Sequence, residues 1–111
     1  MKSPILFIGY EPALQEEIMD YMKDRDGEAY FSSSAIETIR MMDVVDFKKV
    51  VLYMHRLEDA AILRYINNHY RNTEVLIMPD MQLRDAIPAL ADGHFRLLHE
   101  PFRLEELNTI I

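Results

Sequence analysis

The sequence has no cysteine. Disulfides and thiolate metal sites are therefore unavailable, and a reducing cytoplasm is the default compartment. No glycine-rich phosphate loop follows the first apolar run, which argues against nucleotide or flavin binding. No stretch approaches the roughly twenty apolar residues that a membrane span needs. The opening MKSPILFIGYEP carries an apolar run too short for a secretory signal, broken by Gly9 and Pro12. Positive charge is scarce as well. The formal net charge is −7 and the basic residues are scattered, with Lys48–Lys49 the only adjacent pair. That is too little to track a phosphate backbone, so direct contact with nucleic acid is not expected of this segment.

What remains is an ordinary globular composition, 50% hydrophobic and 28% charged over 111 residues, enough for one domain with a core. Short apolar runs alternate with amphipathic stretches, the pattern of a parallel sheet flanked by helices. Ile5–Ile8 is the first strand, with no polar residue to give it a wet face. A helix follows from Pro12, which suits a first turn, with Leu14, Ile18 and Met22 inward. Glu28–Ser32 is a weaker second strand. Ser34 and Glu37 fit a capping box opening a second helix, whose inner stripe is Ala35, Ile36, Ile39 and Met42. Val50–Tyr53 is the third strand. Glu58 or Asp59 opens a third helix with Ile62, Leu63, Ile66 and Tyr70 inward, and Val75–Met78 is the fourth strand. Pro88 interrupts DMQLRDAIPALADG, so a fourth helix there starts late, kinks or is short. Gly93 ends it, Phe95–His99 is the fifth strand, and Phe102–Ile111 begins a fifth helix. The expected architecture is a three-layer α/β/α sandwich, a doubly wound, flavodoxin-like five-stranded parallel sheet.

The element order, the segment ALADGHFRLLHEPF over 89–102 and the helix opening FRLEEL resemble the response regulator receiver domain (CheY-like). In that family the last strand commonly ends in Lys-Pro-Phe, where this chain has Glu100-Pro101-Phe102. The resemblance implies a phosphotransfer device: paired acids after the first strand hold Mg²⁺ and an aspartate after the third accepts the phosphoryl group. A hydroxyl residue after the fourth strand, an aromatic on the fifth and a lysine after it complete the set. Carried over by position, the acid pair becomes Gly9-Tyr10, with Glu11 matching an acid that often comes next. The phosphoacceptor falls on Tyr53, or Met54 with a one-residue shift, and the hydroxyl position on Pro79, or Met78. The aromatic position falls on Leu97, with Phe95 two residues earlier, and the lysine becomes Glu100. A site without its carboxylates holds no Mg²⁺, and Glu100 would repel an incoming phosphoryl group. Tyr10 and Tyr53 are expected to fill the vacated pocket with their hydroxyls at its mouth.

The stretch VVLYMHRLED ends that third strand in charge. His55 beside Arg56 has the makings of a base, yet no partner stands at triad spacing, and it is read as a solvent-facing loop residue. His69, His94 and His99 show no metal-ligand spacing, although Glu100 is placed to tune the titration of His99. Glu58 and Asp59 suit a helix N-terminus better than a metal. Of the eight methionines, Met19, Met22 and Met42 read as core filling and Met81 as exposed.

The resemblance thus implies a pseudo-receiver, with no catalytic residue, no metal and no cofactor. It would be a single domain over 1–111, the N-terminal regulatory domain of a longer bacterial cytoplasmic protein, in the manner of a transcription regulator, with its last helix cut short. Its partner is another protein or a second copy. The face involved joins the fourth helix, fifth strand and fifth helix, through Met81, Phe95, Leu97, Phe102, Leu104, Leu107, Ile110 and Ile111. Two alternatives stay open: a working phosphoacceptor with an unusual residue, and a small-ligand sensor with a cavity between Tyr10, Tyr53 and Glu100.

Overall fold

A computed structural model describes residues 3–83, 95–98 and 105. Five strands, β1 Ser3–Ile8, β2 Gly27–Ser32, β3 Lys49–Met54, β4 Glu74–Pro79 and β5 Arg96–Leu97, form one sheet in the order β2-β1-β3-β4-β5. Every neighbouring pair is parallel, with Ile8 opposite both Ser32 and Leu52, and Tyr53 opposite Met78. The helices α1 Pro12–Met22, α2 Ala35–Val44 and α3 Ala60–His69 make the crossovers. The apolar runs of β1, β3 and β4 have no wet face because helices cover both sides of the sheet.

The two layers divide the core. Ile18 and Met22 of α1 pack on Ile5, Phe7, Val51, Leu76 and Met78. On the opposite face, Met42 of α2 and Ala60, Leu63 and Ile66 of α3 pack on Leu6, Ile8, Val50, Leu52 and Ile77. The five-stranded, doubly wound sandwich is as expected from the sequence. β1 to β4 run one or two residues longer than expected, as where Lys49 and Glu74 join the ladder while their side chains reach water, whereas β5 covers only Arg96–Leu97 of the expected Phe95–His99, of which His99 lies outside the described residues.

Pro12 occupies the first turn of α1, where its missing amide costs nothing. At α2, Ser34 Oγ accepts the Glu37 amide at 3.1 Å, while the Glu37 carboxylate accepts the amide of Ser33, also at 3.1 Å. The capping box is therefore present but shifted by one residue on its return arm. Ser34→Ala should lower stability by about 1 kcal/mol, read as a fall in the urea midpoint at unchanged slope.

The inner stripe of α2 differs from the expectation. Ala35 is exposed and Ile36 is 65% exposed, whereas Thr38 is buried beside Met42. Thr38 can be buried because its hydroxyl donates to the Ser34 carbonyl at 2.8 Å and lies 2.8 Å from Ser32 Oγ. A satisfied hydroxyl can replace an isoleucine under the helix. Met19 is likewise corrected: it is 55% exposed, while Met22 and Met42 are buried.

At the far end, Tyr70 follows α3 and donates its hydroxyl to Asp43 of α2 at 2.9 Å. Burial, then this bond, pushes the Tyr70 phenol up to about 12. A raised folded-state value favours the protonated form. The bond therefore contributes fully below the ordinary value of 10.0 and is lost as pH rises from there towards about 12. Tyr70→Phe should flatten the fall in stability over that alkaline window in pH-dependent denaturant melts.

Candidate functional site at the carboxyl ends of the strands

The chain leaves β1 through Gly9, whose φ is +87°. A β-carbon here would lie 2.8 Å from the Tyr53 carbonyl oxygen, so both the dihedral and the close approach of β3 require glycine. The Gly9 amide donates to the Ser32 carbonyl at 3.0 Å, which ties the turn to β2.

Tyr10 then turns back into the layer beneath α1. It is 3% exposed and meets Phe7 edge-on at 5.7 Å and Tyr53 at 5.4 Å and 60°. Its hydroxyl is enclosed, which corrects the expectation of a hydroxyl at a pocket mouth: the ring enters oxygen-first, as an element of the core. The side-chain amide of Gln15 donates to the Tyr10 carbonyl at 2.8 Å and fixes the entry into α1.

Tyr53 is half-buried at the end of β3, and the His55 ring lies flat on it at 4.0 Å and 24°. His55 Nε2 is 2.7 Å from the Gly9 carbonyl. A carbonyl only accepts, so Nε2 carries the proton. The loop beyond is held by Asp59, whose carboxylate accepts the amides of His55 at 2.9 Å and Arg56 at 3.0 Å. The Arg56 guanidinium lies 3.9 Å from the same side chain. Asp59 therefore serves a turn ahead of α3, and Leu57–Asp59 forms a short 3-10 segment between them.

Pro79 is buried as the last residue of β4, opposite Met54, and the Asp80 amide donates to the Met54 carbonyl at 2.9 Å. The structure thus brings Gly9, Tyr10 and Tyr53 together, with Pro79 one strand away. On the expected interaction face, Leu97 is 38% exposed and Phe95 is half-buried against the layer beneath α2 and α3. Met81 opens a 3-10 turn, Met81–Leu83. Glu100, Phe102, Leu104, Leu107, Ile110 and Ile111, with the fourth and fifth helices, His94 and His99, lie outside the described residues. Among the described residues, no three histidine or acidic side chains gather as a metal site would need. No helix among them is long and apolar enough to cross a membrane.

Two features escaped the sequence. His55 is exposed as expected, yet it joins the turn after β1 to β3. A cavity of about 460 Å³ also opens between α2 and α3, on the face away from Tyr10. Ile8, Leu52, Ile39 and Ile62 line it, with Ser33, Ser34, His55 and Arg56 at its edge.

No family model matches this sequence, and neither does any curated protein. Solved structures do match. A receiver domain from Clostridium thermocellum superposes with a TM-score of 0.78 at 25% identity, over 96% of this chain and 89% of its own. The receiver domain of an HD domain-containing protein from Pseudomonas fluorescens gives 0.78 at 14% identity, over 98% and 90%. That of a sensor histidine kinase from Pseudomonas aeruginosa, with a magnesium ion in its active site cleft, gives 0.78 at 15%, over 99% and 94%. The fold is that of the response regulator receiver domain, the CheY-like fold of two-component signalling.

Proposed function

We propose that this domain is a pseudo-receiver, a signalling module that has lost phosphotransfer and works through protein contacts. The observation that carries this reading is the Tyr53 ring, edge-on to Tyr10 and covered by His55, at the residue that the resemblance assigns to the phosphoacceptor. A phenol is a poor stand-in for a carboxylate nucleophile near neutral pH.

The donor set does not fit Mg²⁺. Gly9, Tyr10 and Tyr53 bring no carboxylate, and a hard cation prefers charged oxygen ligands. The nearby acid Asp59 is occupied by two backbone amides, and Glu11 is exposed at the start of α1. Pro79 has no hydroxyl to follow a phosphoryl group, and Glu100 in place of the lysine sets the wrong sign of charge.

As a pseudo-receiver the domain takes its input from a partner or from self-association, as the regulatory domain of a larger bacterial cytoplasmic protein such as a transcription regulator. The exposed Leu97 on β5 supports an interface there. Incubation with acetyl phosphate and Mg²⁺ tests the reading by intact mass. No phosphoryl gain is expected. A stoichiometric gain mapping to Tyr53 would instead establish a working acceptor of unusual type.

A further inference from the structure

We propose that the cavity between α2 and α3 binds a small, neutral aromatic molecule carrying an N–H or O–H donor. This goes beyond the pseudo-receiver reading and does not depend on it.

The place is one where ligands settle in doubly wound sheets. The cavity lies outside the carboxyl ends of β1 and β3, where successive crossovers depart to opposite faces. Its volume of about 460 Å³ lies within the common range for small-molecule sites, about 300–1,000 Å³. It is far too small to seat a folded partner. The floor is apolar, with Ile8 and Leu52 from the strands and Ile39 and Ile62 from the two helices. The one buried hydroxyl there, on Thr38, is already committed to Ser32 and Ser34. A ligand seated on this floor gains by burying carbon and has no polar group beneath it to satisfy.

The edges decide the charge. Helix N-termini ordinarily attract anions, but a carboxylate already stands close to the head of each. The Glu37 carboxylate sits on the Ser33 amide at the head of α2. The Asp59 carboxylate sits on the amides ahead of α3. Of the residues that line the cavity, Glu58 and Asp59 are acidic, against Arg56 alone, which is already near Asp59. A phosphate or carboxylate would meet these acids at close range, and a bulky cation would lose hydration over an isoleucine floor. A neutral molecule avoids both costs.

The aromatic and donor character follow from His55. With Nε2–H given to the Gly9 carbonyl, Nδ1 retains a lone pair, and no hydrogen bond to it forms among the described residues. The ring that carries it lines the cavity and is already stacked on Tyr53. A planar ligand with one donor can extend the ring layer and satisfy that nitrogen. Because His55 also touches the turn after β1, an occupant would act on the loops after β1 and β3 together.

Indole, neutral and with a single N–H, is the probe. It would be titrated into the full chain and followed by methyl and amide NMR. Saturable shifts are expected at Ile39, Ile62 and Leu52 and at the His55 ring, with benzoate binding at least tenfold more weakly. Ala61 is exposed at the cavity wall, so Ala61→Trp should fill the space and weaken indole at least tenfold while the spectrum stays dispersed. His55→Phe preserves the stacked ring but removes the acceptor, and should weaken indole without abolishing it; it also serves should Ala61→Trp not fold. The proposal fails on any of three results. One is no saturable shift up to the solubility limit of indole. Another is equal shifts at the remote exposed Met19 and Val44. The third is benzoate binding as tightly as indole.

Discussion

Gly9→Asp, which would return an acid to the turn after β1, is expected to lower stability by about 3 kcal/mol and to create no metal site. The backbone there has φ +87°, a region in which side chains with a β-carbon are strained. That carbon would also lie 2.8 Å from the Tyr53 carbonyl, and the obstacle is backbone rather than a yielding side-chain tip. β1 and β3 would have to part at the point where His55 joins them. The check is chemical denaturation of Gly9→Ala and Gly9→Asp beside the parent. Alanine should recover little of the loss, since the β-carbon is the cause. A Gly9→Asp variant as stable as the parent would show that the turn relaxes freely. On the pseudo-receiver reading, point reversion at this turn should therefore not restore phosphotransfer chemistry.

Tyr10→Ala is expected to cost more, about 4 kcal/mol, in the range of buried aromatic truncations. Tyr10 is 3% exposed and holds Phe7 and Tyr53 by their edges, so its removal leaves a void under α1. Tyr10→Phe keeps the ring and should lose far less. A double-mutant cycle with Tyr53→Ala should return a coupling of about 1 kcal/mol, typical of an edge-on aromatic pair. A loss below about 1 kcal/mol for Tyr10→Ala would mean that the ring merely occupies a pocket mouth. On the pseudo-receiver reading, structural duty keeps this position from metal binding: an aspartate here would be a buried charge in an aromatic layer.

The sheet was legible because its signal is physical and local. Strands covered on both faces must be continuously apolar, and Ile5–Ile8, Val50–Tyr53 and Val75–Met78 are such runs. Helix faces were less legible. In α2, periodicity allowed Ile36 inward, yet Thr38 takes the buried place because Ser32 Oγ waits on the neighbouring strand. The positions of Tyr10 and Tyr53 followed from element order, while the direction of the Tyr10 hydroxyl did not, since it depends on how Phe7 packs. His55 was hidden for a different reason. Its partner, the Gly9 carbonyl, is 46 residues away, and no spacing rule reports a side chain bound to a distant backbone atom. The cavity was invisible because it is a gap between helices, and sequence patterns describe contacts rather than spaces.

The most direct test of the central claim is a backbone amide NMR spectrum recorded with and without Mg²⁺ and beryllofluoride, a phosphoryl mimic. The account predicts unchanged resonances for Gly9, Tyr53 and His55, because Gly9, Tyr10 and Tyr53, the positions that the resemblance assigns to the site, bring no carboxylate to hold the ion. Specific, saturable shifts at those amides would contradict it and return the domain to the phosphorelay.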